Sequence, residues 1–212
     1  MVPHSSDSRL LALHALKLKG FADVPTLAVA SGQAAAELTG ILADLEAAGQ
    51  VAKREGRLSG WTLTPRGRAE HERLVLSDMD DSGRRSDIDD CYRRFLAINS
   101  ELLSTCTAWQ LKEAAGLRVI NDHSDPTYDT EVRQRLGTVH EAAVPICVDL
   151  GAAMERYRPY GPRLQHAMDR VMAGEDDWFT RPVIDSYHTV WFELHEDLLS
   201  SLGIERSKEA AR

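Results

Sequence analysis

Cationic side chains recur in a short stretch of the N-terminal part of the sequence. Lys53, Arg54 and Arg57 lie on or beside a predicted hairpin, and Arg66 and Arg68 lie at the start of the helix predicted after it. Lysine and arginine neutralise the phosphates of nucleic acid. We therefore predict a modest basic stripe that contacts a duplex backbone. The alternative is a solvated hairpin with ordinary surface charges.

An α-helix fits the major groove of DNA, so the exposed residues at the start of the helix before this hairpin could contact base edges. Gln33 is suited to adenine and Glu37 to cytosine, whereas alanine contacts only a thymine methyl group. No arginine is available there for guanine, so we expect thin base readout. The candidate DNA contacts are Thr26, Gln33, Ala34, Ala35, Glu37, Thr39, Lys53, Arg54, Arg57, Arg66 and Arg68.

The second part of the chain carries most of the aromatic residues, together with polar side chains that would suit a pocket for a small, partly anionic or aromatic effector. An aromatic-rich core is the alternative. His188 and His195 share an apolar helical face, but they are two turns apart, roughly 10 Å along the axis. We therefore favour core or pocket histidines over a metal site, and we expect no cofactor. The candidate effector contacts are Asn99, Trp109, Asn121, His123, Trp178, Arg181, His188, Trp191 and His195.

Short motifs of common enzymes are missing from the sequence. It contains no Gly-x-Ser-x-Gly elbow, no phosphate-binding Gly-rich loop, no His-Glu-x-x-His and no dinucleotide fingerprint. We therefore predict that the chain is not an enzyme. No apolar run is long enough to span a membrane and no secretory signal is visible, so we expect a cytoplasmic protein without a membrane partner.

Charge is divided unevenly along the 212 residues, of which 43% are apolar. Residues 1–76 carry a formal net charge of +1, whereas residues 77–212 carry −9. An acidic surface is repelled by phosphate backbones, so any contact with nucleic acid must come from the first part.

Capping and turn signals in the first part give the order helix, helix, helix, hairpin, helix. Asp23 and Thr64 can cap helices, Pro25 and Pro65 fit first helical turns, and Gly49 can end a helix. The predicted elements are helices at 8–19, at 25–30 and from 34 to the stop at Gly49, strands at 51–55 and 61–64, and a helix from Pro65.

Two stretches of this part, LAVASGQAAAELTGILADLEAAGQV (27–51) and WTLTPRGRAEHERL (61–74), resemble the MarR and PadR-like transcriptional regulators. Leu27, Gly32, Leu38 and Gly49 are among the residues that fall at packing and turn positions of that family. The resemblance covers roughly a third of the chain. It implies a winged helix-turn-helix that binds DNA, in a domain order that is PadR-like and that does not imply the MarR mode of dimerisation.

Beyond Leu76, apolar residues continue to recur at the spacing of one helical face. The fold class that we predict is mainly α, with an N-terminal winged helix-turn-helix that has a small β-hairpin wing, followed by an all-helical C-terminal domain. The predicted divisions are a DNA-binding domain at 1–76, a linker or helix extension at 77–90, a helical dimerisation and effector domain at 91–204 that includes a long loop at 111–129, and a flexible tail at 205–212.

These patterns predict a transcriptional regulator that binds double-stranded DNA as a homodimer, with a possible small-molecule effector. The alternative is a winged-helix protein-interaction module that does not bind DNA, which the alanine-rich third helix favours. An enzyme site in the helical domain is a third interpretation, and it lacks a supporting motif.

Overall fold

The computed structural model describes residues 2–57, 59–114 and 116–209. Within these ranges the chain is mainly helical, with small antiparallel sheets. The chain forms two compact units, so that segments predicted to belong to the helical domain and the tail are part of the first unit. The first unit is Met1–Ser86, Ala153–Arg156 and Glu196–Arg212, and the second unit is Asp87–Ala152 and Tyr157–His195.

Local capping determines where the helices of the first unit begin. The Asp7 carboxylate accepts hydrogen bonds from the amides of Arg9 and Leu10, and Asp23 accepts one from the Thr26 amide. The predicted helices and the predicted hairpin of this part are confirmed, and a short strand that was not predicted, β1, joins them. The elements are α1 (Ser8–Lys19), β1 (Phe21–Ala22), α2 (Val24–Ser31), α3 (Ala35–Ala47), β2 (Val51–Arg54), β3 (Gly60–Leu63) and α4 (Pro65–Ser82).

An antiparallel three-stranded sheet, in the order β1-β3-β2, packs with the helices around an apolar core. Ala22 lies opposite Trp61, and Val51 lies opposite Leu63. Leucine side chains from α1, α2 and α3 fill this core, and burial of each such side chain contributes roughly 1.5–3 kcal/mol. The fully buried leucines are Leu13, Leu16, Leu27, Leu38, Leu42 and Leu45.

Residues 77–90, predicted as a linker or a helix extension, are helical except for a short break. Helix α4 continues to Ser82, and α5 (Arg85–Gln110) begins after Gly83 and Arg84. Gly83 adopts a left-handed conformation with φ of 62°, which favours glycine at a helix end.

The expectation of an all-helical second part is wrong, because residues of the predicted long loop form a hairpin. Strand β4 (Leu111–Ala114) pairs antiparallel with β5 (Leu117–Ile120), and Lys112 lies opposite Val119. Every residue of β5 is exposed. Strand β5 therefore lacks the alternation of buried and exposed residues that is typical of a half-buried strand.

Helices make up the rest of the described chain, and the bundle of the second unit has an aromatic centre. The Phe95 ring stacks on Trp191 with centroids 4.5 Å apart, and His195 lies 5.0 Å from Phe95. A helical turn occupies part of the predicted flexible tail, of which residues 210–212 lie outside the described ranges. These elements are α6 (Pro126–Ala153), a 3-10 turn (Glu155–Tyr157), α7 (Tyr160–Met172), α8 (Asp177–Thr180), α9 (Tyr187–Leu202) and α10 (Arg206–Glu209).

Candidate functional site

Exposed cations surround the β2-β3 hairpin and the start of α4. Arg54, Arg57, Arg66 and Arg68 are all exposed, and within the described ranges none of them is in an ion pair. Arg66 acts only at longer range, where it helps Arg73 to lower the pKa of Glu70. These guanidinium groups are therefore available to bind an anion.

Lys53, the fifth predicted phosphate contact, already has a partner. Its ammonium lies 2.8 Å from the Glu55 carboxylate, and this hydrogen bond raises the pKa of Lys53 and lowers that of Glu55. Both side chains are exposed, and exposed pairs contribute little to stability because water and salt screen them. A phosphate would compete with Glu55 for this lysine.

The exposed face of α3 carries small and acidic residues. Ala34, Ala35 and Glu37 are exposed, as predicted for a helix that reads bases. Thr39 is also exposed, but its hydroxyl donates to the Ala35 carbonyl at 2.7 Å. The part of the interface that would contact bases therefore has negative and apolar character.

Gln33 and Thr26, the other predicted contacts, take part in local structure. Gln33 is half-buried, and its Nε2 donates to the carbonyl of Ser8 at 3.0 Å, so that it joins the turn before α3 to the start of α1. Thr26 is exposed, and its amide donates to Asp23 at 3.0 Å. Gln33 would have to leave its partner before it could pair with adenine.

The start of α4, which carries Arg66 and Arg68, is held against the turn after α3. The Thr64 amide donates to the Gln50 carbonyl at 3.1 Å, and its hydroxyl donates to the carbonyls of Gly49 at 2.8 Å and Gln50 at 3.1 Å. The Thr64 hydroxyl also accepts the amide of Gly67, so that Thr64 caps α4. Gly67 then approaches Gln50 so closely that a Cβ atom at this position would lie 1.8 Å from the Gln50 carbonyl oxygen.

The candidate effector residues of the second unit fall into separate groups, of which one surrounds Trp109. Asn121 donates to the Trp109 carbonyl at 3.2 Å, and the His123 ring lies 4.4 Å from the Trp109 ring. The guanidinium of Arg133 lies over the same indole, 5.0 Å from its centroid. Trp109 is itself buried and His123 is exposed. Arg133 and His123 already have carboxylate partners, at 2.8 Å and 3.0 Å respectively. An anion near this buried ring would therefore compete with these carboxylates.

A second group lies around Trp191, whose Nε1 donates to Asn99 Oδ1 at 2.9 Å. His195 belongs to the same neighbourhood through Phe95, and both histidine and indole are buried. A buried aromatic ring with a satisfied N–H is typical of a core. These residues therefore have the surroundings of packed core residues.

The remaining candidates contact other partners. Trp178 packs edge-on against His166 and lies under Arg170, while Arg181 is in an ion pair with Asp177. His188 is half-buried, and burial lowers its pKa. The structure therefore brings together Trp109, Asn121 and His123, and separately Asn99, Trp191 and His195.

A buried polar network in the first unit was not predicted. The guanidinium of Arg156, whose side chain is 3% exposed, donates to Asp78 at 2.7 Å and to Ser201 at 2.6 Å. It also lies 3.3 Å from Asp197, whose side chain is 1% exposed. One arginine thus compensates two carboxylates that are removed from water.

Two stacked histidines continue this network. His14 Nε2 lies 3.1 Å from Asp197 Oδ2, without the alignment of a hydrogen bond, and His14 Nδ1 lies 2.9 Å from His71 Nε2. The ring centroids are 5.2 Å apart. The sequence gives one weak signal for this network, which is a histidine within the apolar run of α1. It gives no signal that His14 contacts His71.

Acidification is expected to destabilise the chain through His71. Burial, followed by the electrostatic effects of the neighbouring His14 and Lys17, lowers the pKa of His71 to about 3, although Asp197 acts in the opposite direction. Below about pH 6.5, the usual pKa of histidine, His71 is protonated in the unfolded chain but stays neutral in the folded chain. The free energy of unfolding therefore falls by about 2 kcal/mol between pH 7 and pH 5.

Urea unfolding at several pH values, for the native chain and for His71→Gln, measures this contribution. The variant should lose less stability than the native chain between pH 7 and pH 5. Equal losses would mean that His71 does not titrate differently in the folded and unfolded states.

None of the described helices is both long enough and apolar enough to cross a membrane. Across the described residues, histidine, cysteine and carboxylate side chains do not meet in groups of three that would hold a metal ion. No protein-family model, curated protein or solved structure matches this chain.

Proposed function

We propose that the first unit contains a winged helix-turn-helix module and that the chain is a transcriptional regulator that binds duplex DNA. The order of its elements supports this proposal. Helix α1 leads into β1, α2 and α3 follow, and β2 and β3 form the wing before α4. The pairing of β1 with β3 joins the wing to the helices. In such a module the exposed face of α3 would lie in the major groove.

The single observation that carries the proposal is the set of unpaired arginines, Arg54, Arg57, Arg66 and Arg68. Most arginines of the second unit have carboxylate partners instead, such as Arg94 with Asp149 at 2.6 Å and Arg135 with Glu101 at 2.8 Å. Among the described residues of that unit, Arg118 is an exposed arginine without an ion pair. An unpaired exposed guanidinium gives up no ion pair when it binds a phosphate. Phosphate contacts therefore supply most of the affinity, and the small, acidic face of α3 supplies little base readout.

A symmetric homodimer would double these phosphate contacts and would address two half-sites about one helical turn apart. We assign dimerisation to the second unit, together with the binding of a small, partly anionic or aromatic effector near Trp109. The indole of Trp109 and the guanidinium of Arg133 over it support this assignment for an aromatic effector, and an anionic group would have to displace the carboxylate partners of Arg133 and His123.

The salt dependence of binding to a labelled duplex, measured by fluorescence anisotropy, tests the proposal. Each lost phosphate contact lowers the slope of log affinity against log salt by about 0.9, so Arg54→Ala with Arg57→Ala should lower it by about 2. The affinity at low salt should fall at least about 100-fold, because hydrogen bonds to charged groups contribute about 1.5–3 kcal/mol each.

The matched control removes two positive charges from the exposed surface of the second unit. Arg93→Ala with Arg135→Ala changes the net charge by the same amount, and the side chains of Arg93 and Arg135 are 68% and 39% exposed. This control should leave the salt slope unchanged. Equal losses in both double variants would show that net charge, rather than the hairpin, governs binding.

A protein-interaction module is the second candidate, because of the surface that α3 and α2 present. Glu37, Asp44 and Glu46 are exposed on α3, which contains no lysine or arginine, and Val29 of α2 is 75% exposed. Such a surface repels phosphate and suits a basic or apolar protein partner. The absence of duplex binding at low salt in the same anisotropy experiment would favour this candidate.

A further inference from the structure

A cavity of about 670 Å³ lies in the first unit beside helix α4. This volume falls in the range of small-molecule sites. Part of its wall is apolar and comes from α4 and from the segment that follows residue 196. The apolar lining residues are Val75, Leu76, Leu199 and Ile204.

His71 lines the same cavity and has an unmet hydrogen-bonding capacity. The residue is 1% exposed, and His14 engages its Nε2. Its Nδ1 is buried and finds no hydrogen-bond partner among the residues that the structure describes. A buried polar atom without a partner is unfavourable, and a ligand that supplies the partner would remove this cost.

The contacts behind His71 determine what its Nδ1 can do. The Asp197 carboxylate lies beside His14 Nε2 and favours a proton on that nitrogen, which leaves His14 Nδ1 as an acceptor. His71 Nε2 must then carry the proton of the hydrogen bond between the rings. Its Nδ1 is therefore a lone pair that accepts, and a ligand has to donate to it.

The charged groups around the cavity are of both signs. Lys17 and Arg206 are positive, whereas Glu72, Glu196 and Glu205 are negative, and Glu196 is in an ion pair with Arg206 at 2.6 Å. A strongly charged ligand of either sign would meet repulsive partners as well as attractive ones. An uncharged molecule meets neither penalty.

We propose that this cavity binds an uncharged organic molecule that has an apolar ring-sized body and a hydroxyl or N–H donor directed at His71 Nδ1. The body packs against Leu76, Leu199 and Ile204. The site belongs entirely to the first unit and is independent of the predicted effector contacts in the second unit.

Three matched probes test the proposal on the full chain by calorimetry: 2-naphthol, 2-methoxynaphthalene and 2-naphthoate. The first donates a hydrogen bond, the second has a similar body without a donor, and the third carries a negative charge. Naphthol should bind about tenfold more tightly than the ether, the change that one hydrogen bond of about 1.4 kcal/mol produces. Hydrogen exchange should slow at the amides of Gly203 to Ser207 when naphthol binds.

Two variants locate the binding. Ser200→Trp places a large ring at the cavity wall without touching the histidines and should abolish naphthol binding. His71→Phe should remove the preference for naphthol over the ether. Equal affinity for naphthol and the ether, tighter binding of naphthoate than of naphthol, or unchanged naphthol binding by Ser200→Trp would overturn the proposal. None of these outcomes depends on whether the chain binds DNA.

Discussion

Replacing Gly67 with alanine is expected to lower the free energy of unfolding by about 3 kcal/mol. The new Cβ atom would lie 1.8 Å from the carbonyl oxygen of Gln50 and 2.8 Å from its carbonyl carbon. These are backbone atoms, so no side-chain rotation relieves the clash. Moving α4 away would break both hydrogen bonds from Thr64 to Gln50. Urea unfolding followed by circular dichroism measures the loss.

Gly40→Ala is the matched control for this substitution. Gly40 lies within α3 and is exposed, and a Cβ atom there would meet nothing within 4 Å. Alanine in a helix interior is favoured over glycine by about 0.5–1 kcal/mol, so this variant should be slightly more stable than the native chain. Native stability in Gly67→Ala would show that the start of α4 does not lie against Gln50.

Arg156→Met is expected to lower the free energy of unfolding by about 3–5 kcal/mol. Methionine keeps much of the length of the arginine but removes the charge that Asp78 and Asp197 share. The side chains of those two carboxylates are 10% and 1% exposed, so water cannot replace the guanidinium. Thermal and urea unfolding at pH 7.5 measure the effect.

A second substitution separates the loss of charge from the loss of packing. Adding Asp78→Asn to Arg156→Met removes one of the uncompensated charges and should restore part of the stability. Arg135→Met breaks an exposed pair with Glu101 and should change stability by less than about 1 kcal/mol. A loss as large in Arg135→Met as in Arg156→Met would contradict the role of burial.

Features that depend on neighbouring residues could be predicted from the sequence. Asp23 before Pro25 marks the start of α2, and Thr64 before Pro65 marks the start of α4. Each cap acts within three residues, so a single chain segment carries the whole signal. Lys53, Arg54 and Arg57 are exposed as predicted, because they lie on or beside a hairpin turn whose described residues are themselves exposed.

Features that depend on distant residues or on weak burial could not be predicted. His14 meets His71 across 57 positions, and no local pattern relates them. The β4-β5 hairpin was missed because its strands lie largely in solvent. The candidate effector residues were chosen by type, and packing divides them between Trp109 and Trp191, which no periodicity specifies.

The participation of Asp197 in the first unit affects the order in which the protein folds during synthesis. Ribosomes add roughly 5–20 residues per second, so His14 is made about 10–40 s before Asp197. During that interval α1 and α4 are complete, but His14 and Asp78 lack the partners that Asp197 and Arg156 later provide. The first unit therefore cannot complete its folding until the C-terminal residues of the chain have been synthesised. A nascent chain stalled before Glu196 should be more sensitive to proteases in α1 and α4 than the full chain.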